Sequence, residues 1–306
     1  MNRGQGNDKI NDLKLLIMNI GLLDVDGKFP NLALMKISTY HKLNGDNVDF
    51  ATIGNYDKLY ISKLFKFSEL NLNTLITANE TVIGGSGYDL SVHLPNEIEI
   101  CDPDYSIYPM YDFSLQFYSR GCIRNCPFCI VRQKEGNIKS VKPMALNPNG
   151  NRIEVLDNNF FANPDWKLAI DDLLSTKQTV NLHGVDVRIM NEEQAFWLNK
   201  LKHHKQIHIA WDNPKDNIIP HIKEMIKHVK PYKIMCYVLI GYWSTPEQDL
   251  YRIEKLRELK IDPFVMPFNK SDPYQKRFAR WVNHKAIFKT VKWSEYRQGS
   301  FSSVCP

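Results

Sequence analysis

Residues 119 to 136, "SRGCIRNCPFCIVRQKEG", bring Cys122, Cys126 and Cys129, three of the chain's six cysteines, within eight positions. What precedes the stretch decides the fold. "FSLQFY", from residue 113, reads as a short strand, Gly121 frees the backbone to turn out of it, and Pro127 keeps the loop from winding into a helix. A cysteine loop leaving the C-terminal end of a strand lies on the edge where parallel α/β proteins place their chemistry. Taken alone, the spacing fits a structural metal knuckle, a redox centre or the ligands of a catalytic cluster.

Downstream, strand patterns recur as "IEVLD" at 153, "TVNLHGV" at 179, "QIHIAWD" at 206, "KIMCYVLIG" at 233 and "PFVMPF" at 263. Their spacing of about 25 to 30 residues is that of a βα unit. Helix starts fall in the gaps: Asn163 with Pro164, Asn191 before Glu192-Glu193-Gln194, and Thr245-Pro246-Glu247-Gln248, a capping box with proline at the first helical position. Six such units predict a partial (β/α)6 TIM-like barrel over 112–270. Upstream, "LKLLIMNI" from 13, "VDFATIG", "KLYISKLF" and "ETVIGGSGYD" read as strands. "PNLALMKISTYHKLNG" reads as a helix capped by Asn31, with Ala33, Leu34, Ile37 and Tyr40 on one face and Gly45 at its end. The pattern predicts a small doubly wound domain over 1–95. The irregular, proline-containing text up to Tyr111 reads as a connection, set at 96–111.

With 43% hydrophobic residues in 306, the chain can bury a large core, and no apolar run reaches the ~18 residues of a membrane span. Its first twenty residues are polar before a short apolar run, unlike a signal peptide, so the expected location is cytoplasmic, with no membrane partner. In that compartment unevenly spaced cysteines favour metal or catalytic use over disulfides. Cys236 reads as a core residue. The net charge of +5 is concentrated: within 273–300, seven cationic residues face Glu295 alone, a local surplus of +6. Tyr274, Phe278, Trp281 and Val282 recur there at helical spacing, so this basic extension, 271–306, reads either as a helix packed on the barrel with a solvated face or as a surface for an anionic substrate such as nucleic acid.

An iron-sulfur cube normally takes four cysteines, and three leave one iron open to a small molecule. A zinc knuckle needs a fourth ligand, and no cysteine or histidine follows within fifty residues of Cys129. "GCIRNCPFC", with Phe128 before the third cysteine, resembles the CxxxCxxC motif of the radical S-adenosylmethionine superfamily. The resemblance implies an oxygen-sensitive 4Fe-4S cluster on Cys122, Cys126 and Cys129, S-adenosylmethionine as cofactor, reductive cleavage to a 5′-deoxyadenosyl radical, and a reductant partner such as flavodoxin or ferredoxin. It further implies that Phe128 contacts the cofactor and that Asn158 and Asn159 in "LDNNFFANP" meet the methionine amino group, although the usual Gly-Gly-Glu form is missing. Asp186 and Arg188 in "GVDVRIMNEEQ" follow the third strand, and the guanidinium would pair with the methionine carboxylate. Asp212 in "AWDNP" would meet the ribose, and Ile240 and Gly241 in "VLIGYW" the adenine.

The first domain resembles the flavodoxin-like, cobalamin-binding-type domain that precedes some members of this superfamily, with "VIGGSGYD" at its glycine-rich turn. It lacks the DxHxxG ligand motif, and no histidine stands in "GLLDVDGKFPN". Cobalamin is therefore the less favoured cofactor, bound only without a histidine ligand. Two alternatives stay open: a cobalamin-dependent radical methyltransferase, and a non-enzymatic zinc-stabilised protein that binds nucleic acid through the basic extension. No motif names the substrate, and the surplus charge points only to an anionic one.

Overall fold

A computed structural model of the protein describes residues 17–71 and 74–297, which divide into two compact units, one ending at Met110 and one beginning at Tyr111. Among the described residues no helix is long and apolar enough to cross a membrane.

The first unit is a parallel α/β layer. It runs β1 (Asn19–Asp24), α1 (Leu32–Leu43), β2 (Asn47–Phe50), β3 (Gly54–Ser62), β4 (Ile76–Gly84) and a short α2 (Asn96–Glu99), with strand order β2-β1-β3-β4 and every pairing parallel. Asn31 caps α1 as expected: its Oδ1 accepts from the Leu34 amide, and its Nδ2 donates to Ser62 Oγ at 2.7 Å, tying the helix start to the end of β3. Ile20, Leu22, Leu34, Ile37, Val48, Tyr60 and Ile98 form the core of this unit. Of the strand read from residue 13, positions 13–16 lie outside the described residues, and the described strand starts at Asn19. "VDFATIG" is divided between β2 and the first residue of β3, because the chain leaves the sheet at Ala51. The text read as a connector instead folds onto this unit. Ile98 is buried in the core, and Lys36 Nζ bridges to Glu99 at 2.9 Å.

The second unit carries β5 (Phe113–Gln116), β6 (Ser119–Arg120), α3 (Val131–Glu135), β7 (Lys139–Ser140), β8 (Arg152–Val155), α4 (Trp166–Ser175), β9 (Thr179–Leu182), α5 (Glu192–Lys200), β10 (Ile207–Ala210), α6 (Ile219–His228), β11 (Ile234–Ile240), α7 (Pro246–Glu258), β12 (Asp262–Pro267), α8 (Pro273–Asn283) and α9 (Lys285–Thr290). All six strand patterns read from the sequence form strands. They assemble as two parallel three-stranded sheets, β5-β8-β9 and β10-β11-β12, while β6 and β7 form a small antiparallel ribbon. Just before β10, His203 makes a parallel bridge to Val180 of β9, which brings the two sheets together. Their helix-side residues, from Ile153 to Val265, join one apolar core with Ile170, Leu198, Ile222 and Ile253 from the intervening helices. The capping boxes at Asn191 and Thr245 form. Asn163 does not cap α4, which starts at Trp166 after Asp165. It is buried, donates to Tyr118 O and accepts from Ser140 Oγ, holding the ribbon beneath the cysteine loop.

The helices of the basic extension belong to this unit. Phe278, Trp281 and Val282 are buried in its core, and Asn283 of α8 exchanges two hydrogen bonds with Val265, capping the outer edge of β12. Residues 298–306, including Cys305, lie outside the described residues.

Candidate functional site at the strand ends

The loop holding the three cysteines leaves β6 through Gly121, whose φ of +83° is left-handed and whose Cβ, if present, would fall 2.3 Å from Asn137 O. Only glycine fits there. The loop base is fixed by charge. Arg120 and Glu135 form a bidentate pair with both contacts at 3.0 Å, and Glu135 also accepts from the Gly121 amide at 2.9 Å and from Asn158 Nδ2 at 3.0 Å. Burial works against charge on Glu135, but Arg120 outweighs it and keeps the carboxyl below its usual range. Arg132 of α3 donates to Cys122 O, and the Cys129 amide donates to Cys126 O. The backbone is thus held while the thiols make few contacts. The Arg124 amide lies 3.3 Å from Cys122 Sγ, with a geometry that suits a thiolate.

Beside this loop lies a cavity of about 190 Å³, lined by Arg124, Cys126, Phe128, Arg188, Asp212 and Trp243 among others. These residues follow β6, β9, β10 and β11, so the segments beyond the C-terminal ends of strands from three sheets supply the lining. Three expected cofactor contacts, Phe128, Arg188 and Asp212, therefore meet Cys126 at one place. Asp186 stands one hydrogen bond behind it and Asn159 one further. Asp186 accepts from Arg188 Nε at 2.7 Å, from Arg124 Nε at 3.0 Å and from Asn159 Nδ2 at 3.1 Å. Its carboxyl is buried, and the two guanidinium groups still hold it below the usual carboxylate range. Arg188 also reaches Asp216 at 3.1 Å, so its fork is already engaged on two carboxylates, and a bound carboxylate would share it rather than take it whole. Asn158 faces Glu135, Ile240 is fully buried in the core, and Gly241, with φ +78° and Gln275 against it, turns the chain beyond β11. None of these three lines the cavity.

Sequence reasoning missed Arg124, Trp243, Asp216 and Arg252. Arg124 sits within the cysteine spacing itself, where any residue is allowed. Trp243 joins Phe128, Tyr242 and Phe268 in an aromatic cluster at the mouth, with ring centroids 4.7 to 5.6 Å apart. Arg252 of α7 is fully buried. It donates to Trp211 O at 2.6 Å, Asp212 O at 3.2 Å and Leu239 O at 2.9 Å, and pairs with Asp249 at 2.7 Å. It staples the ends of β10 and β11 and so sets where Asp212 stands. An arginine in the middle of an amphipathic helix gives no sign of this in sequence.

Burial acts on two acidic groups of the cavity. Burial pushes the Cys126 thiol up, opposed by Arg188, and also pushes the Asp212 carboxyl up, opposed by Arg188 and Arg252. A metal centre would reverse both shifts. Among the described residues no three His, Cys, Asp or Glu side chains already converge on a metal position. The fit lies in the donor chemistry: three thiols on a loop anchored at its base, an amide directed at one sulfur, and the buried Asn159 Oδ1, which has no hydrogen-bond partner among the described residues, beside Cys122. No family model matches the sequence, and no curated protein matches it.

Proposed function

We propose that the protein is a radical S-adenosylmethionine enzyme whose second unit is a partial (β/α)6 barrel and whose first is a flavodoxin-like domain of degenerate cobalamin-binding type. The observation that carries this reading is that Cys126, Phe128, Arg188 and Asp212, read from three separate motifs, line one cavity beyond the C-terminal ends of β6, β9, β10 and β11. Cys122, Cys126 and Cys129 would hold the 4Fe-4S cluster. With S-adenosylmethionine bound, such a cluster supplies one-electron reductive cleavage, giving methionine and a 5′-deoxyadenosyl radical.

The chain's own part is positioning. Arg188, steadied by Asp186 and Asp216, would present a cation to the methionine carboxylate, and Asp212, whose carbonyl accepts from Arg252, would meet the ribose. Phe128 and Trp243 shield the mouth from water. The partners proposed are a cytoplasmic reductant such as flavodoxin or ferredoxin and a substrate of unassigned structure. Anaerobic protein with dithionite and S-adenosylmethionine should release 5′-deoxyadenosine, and Arg188→Ala should lower that release at least tenfold at limiting cofactor, the loss of about one charge-assisted hydrogen bond. Release without reductant, or equal release from a Cys126→Ala protein, would remove the reading.

A further inference from the structure

The two faces of the strands in the second unit differ in kind. One lies in the apolar core under the helices. The other carries Glu154 and Asn181, paired in register across β8 and β9, His208 on β10, and Tyr237 and Phe264, paired in register across β11 and β12. Strands of a parallel sheet usually read as near-continuous apolar runs, because both faces are covered. Polar groups on this face need another reason.

His183, just beyond β9, supplies one. Its amide is fixed to Val155 O at 3.1 Å, and its Nε2 lies 2.7 Å from the buried Glu154 carboxylate, while 41% of its side chain is exposed. Burial opposes charge on Glu154, yet hydrogen bonds from His183, Arg152 and Asn181 bring its carboxyl down to about 2, so it is ionised and accepts only. Nε2 also has the Asn181 Nδ2 at 3.3 Å, but the ionised carboxylate at 2.7 Å is the closer partner and calls for the proton on Nε2, and the neutral ring then has Nδ1 without a hydrogen-bond partner among the described residues. Burial holds the His208 imidazole below its usual range, and neither its ring nor the Tyr237 hydroxyl has a hydrogen bond among the described residues. His208 leans on Tyr237 at 5.2 Å, and Phe264 stands edge-on to Tyr237 at 5.6 Å. On β12, Phe264 and Met266 continue this face with 37% and 46% exposure.

Free imidazole nitrogens beside exposed ring faces suit a guest that both stacks and hydrogen-bonds. We propose that this face binds a planar, hydrogen-bonding ring and that His183, oriented by Glu154, exchanges a proton with it. In that step Nδ1 takes the proton of the ring's O–H or N–H, leaving the ring anion beside an imidazolium whose Nε2–H stays on Glu154. The reverse transfer restores both, with no oxidant or reductant. The inference does not rest on the cysteine reading, and its test needs no iron.

The probe is 4-nitrophenol, whose ionisation is visible in its absorbance, titrated into the full chain below its own pKa. Saturable binding with a raised phenolate fraction is expected. His183→Gln should abolish the phenolate gain, and Glu154→Gln should remove most of it while binding persists. Tyr237→Ala should weaken binding about tenfold, the scale of one lost ring-stacking contact. Because Glu154 is buried, its variant is paired with 15N imidazole spectra of the wild-type chain, in which neutral His183 should show its proton on Nε2 alone. Absence of saturable binding, a phenolate gain that survives in His183→Gln, or a neutral His183 protonated on Nδ1 would each overturn the proposal.

Discussion

The cysteine loop and the basic helices α8 and α9 both stand out in the sequence, one by spacing and the other by charge, but the fold treats them differently. Around the loop the backbone is anchored and the side chains are left for a guest. Cys126 and Asp212 lie half buried with their charged forms disfavoured, and Asn159 Oδ1 has no partner among the described residues. In the helices the conspicuous residues are consumed by packing. Arg277 stacks on Trp293 at 4.5 Å and donates to Tyr296 O, Lys285 pairs with Asp262 at 2.6 Å, and Trp281 is fully buried. A local surplus of charge therefore says little about a partner until the geometry shows which charges are free. A ligand spacing at a strand end says more, because the fold already directs that edge outward.

The largest effect expected from this contrast lies in α8. Trp281→Ala should destabilise the second unit by about 3 to 5 kcal/mol, the usual cost of deleting a large buried aromatic. Urea unfolding monitored by circular dichroism measures it. A loss under 1 kcal/mol would mean that α8 is an appendage and would restore the case for a free basic surface.

An intermediate effect belongs to the strand ends. Asp157, beyond β8, is almost fully buried, and burial pushes its carboxyl up to about 6 despite hydrogen bonds from Ser119 Oγ and the Tyr118 amide. A folded-state value above the unfolded one means that the contribution is complete below about pH 4 and is lost as the pH rises through 6. Relative to Asp157→Asn, the wild type should lose roughly 2 kcal/mol between pH 4 and pH 7.5. Parallel stability curves for the two proteins would show that this carboxyl is not held in an unfavourable environment.

The smallest effect expected is in nucleic-acid binding. Lys276, Arg280, Lys289 and Lys292 are exposed cations of α8, α9 and the turn after them, as is Lys285, which is paired with Asp262. Changing the first four to Gln should leave weak binding of single-stranded DNA and its salt dependence nearly unchanged. If these residues neutralise phosphates, the log-log salt slope would instead fall in magnitude by about 0.7 per contact, and the nucleic-acid alternative would gain ground.

Much of the second unit was legible because parallel strands buried on the helix side announce themselves as short apolar runs at βα spacing, as "IHIAW" and "KIMCYVLI" do. The first unit was harder. Its strand boundaries moved, since Ala51 to Ile53 look apolar enough to continue β2, and α2 was missed because one turn of helix has no period to detect. At the site, the spacing of Cys122, Cys126 and Cys129 was readable as a loop leaving a strand, and its use as a ligand set remains the proposal. Arg188 was readable as a guanidinium near the edge but not as one already shared by Asp186 and Asp216, since pairing between separate loops leaves no trace in local sequence. Arg252 was invisible for the same reason, and so was the polar face of Glu154, His183 and His208, whose members stand on three different strand segments.

The central claim is that three cysteines on one anchored loop hold a single iron-sulfur cluster. Iron and acid-labile sulfide should be counted after anaerobic reconstitution and desalting, in the wild type and in Cys126→Ala. About four irons and four sulfides per chain are expected in the wild type, with near-complete loss in the variant. Stoichiometric zinc without sulfide, or an iron content that Cys126→Ala leaves unchanged, would contradict it.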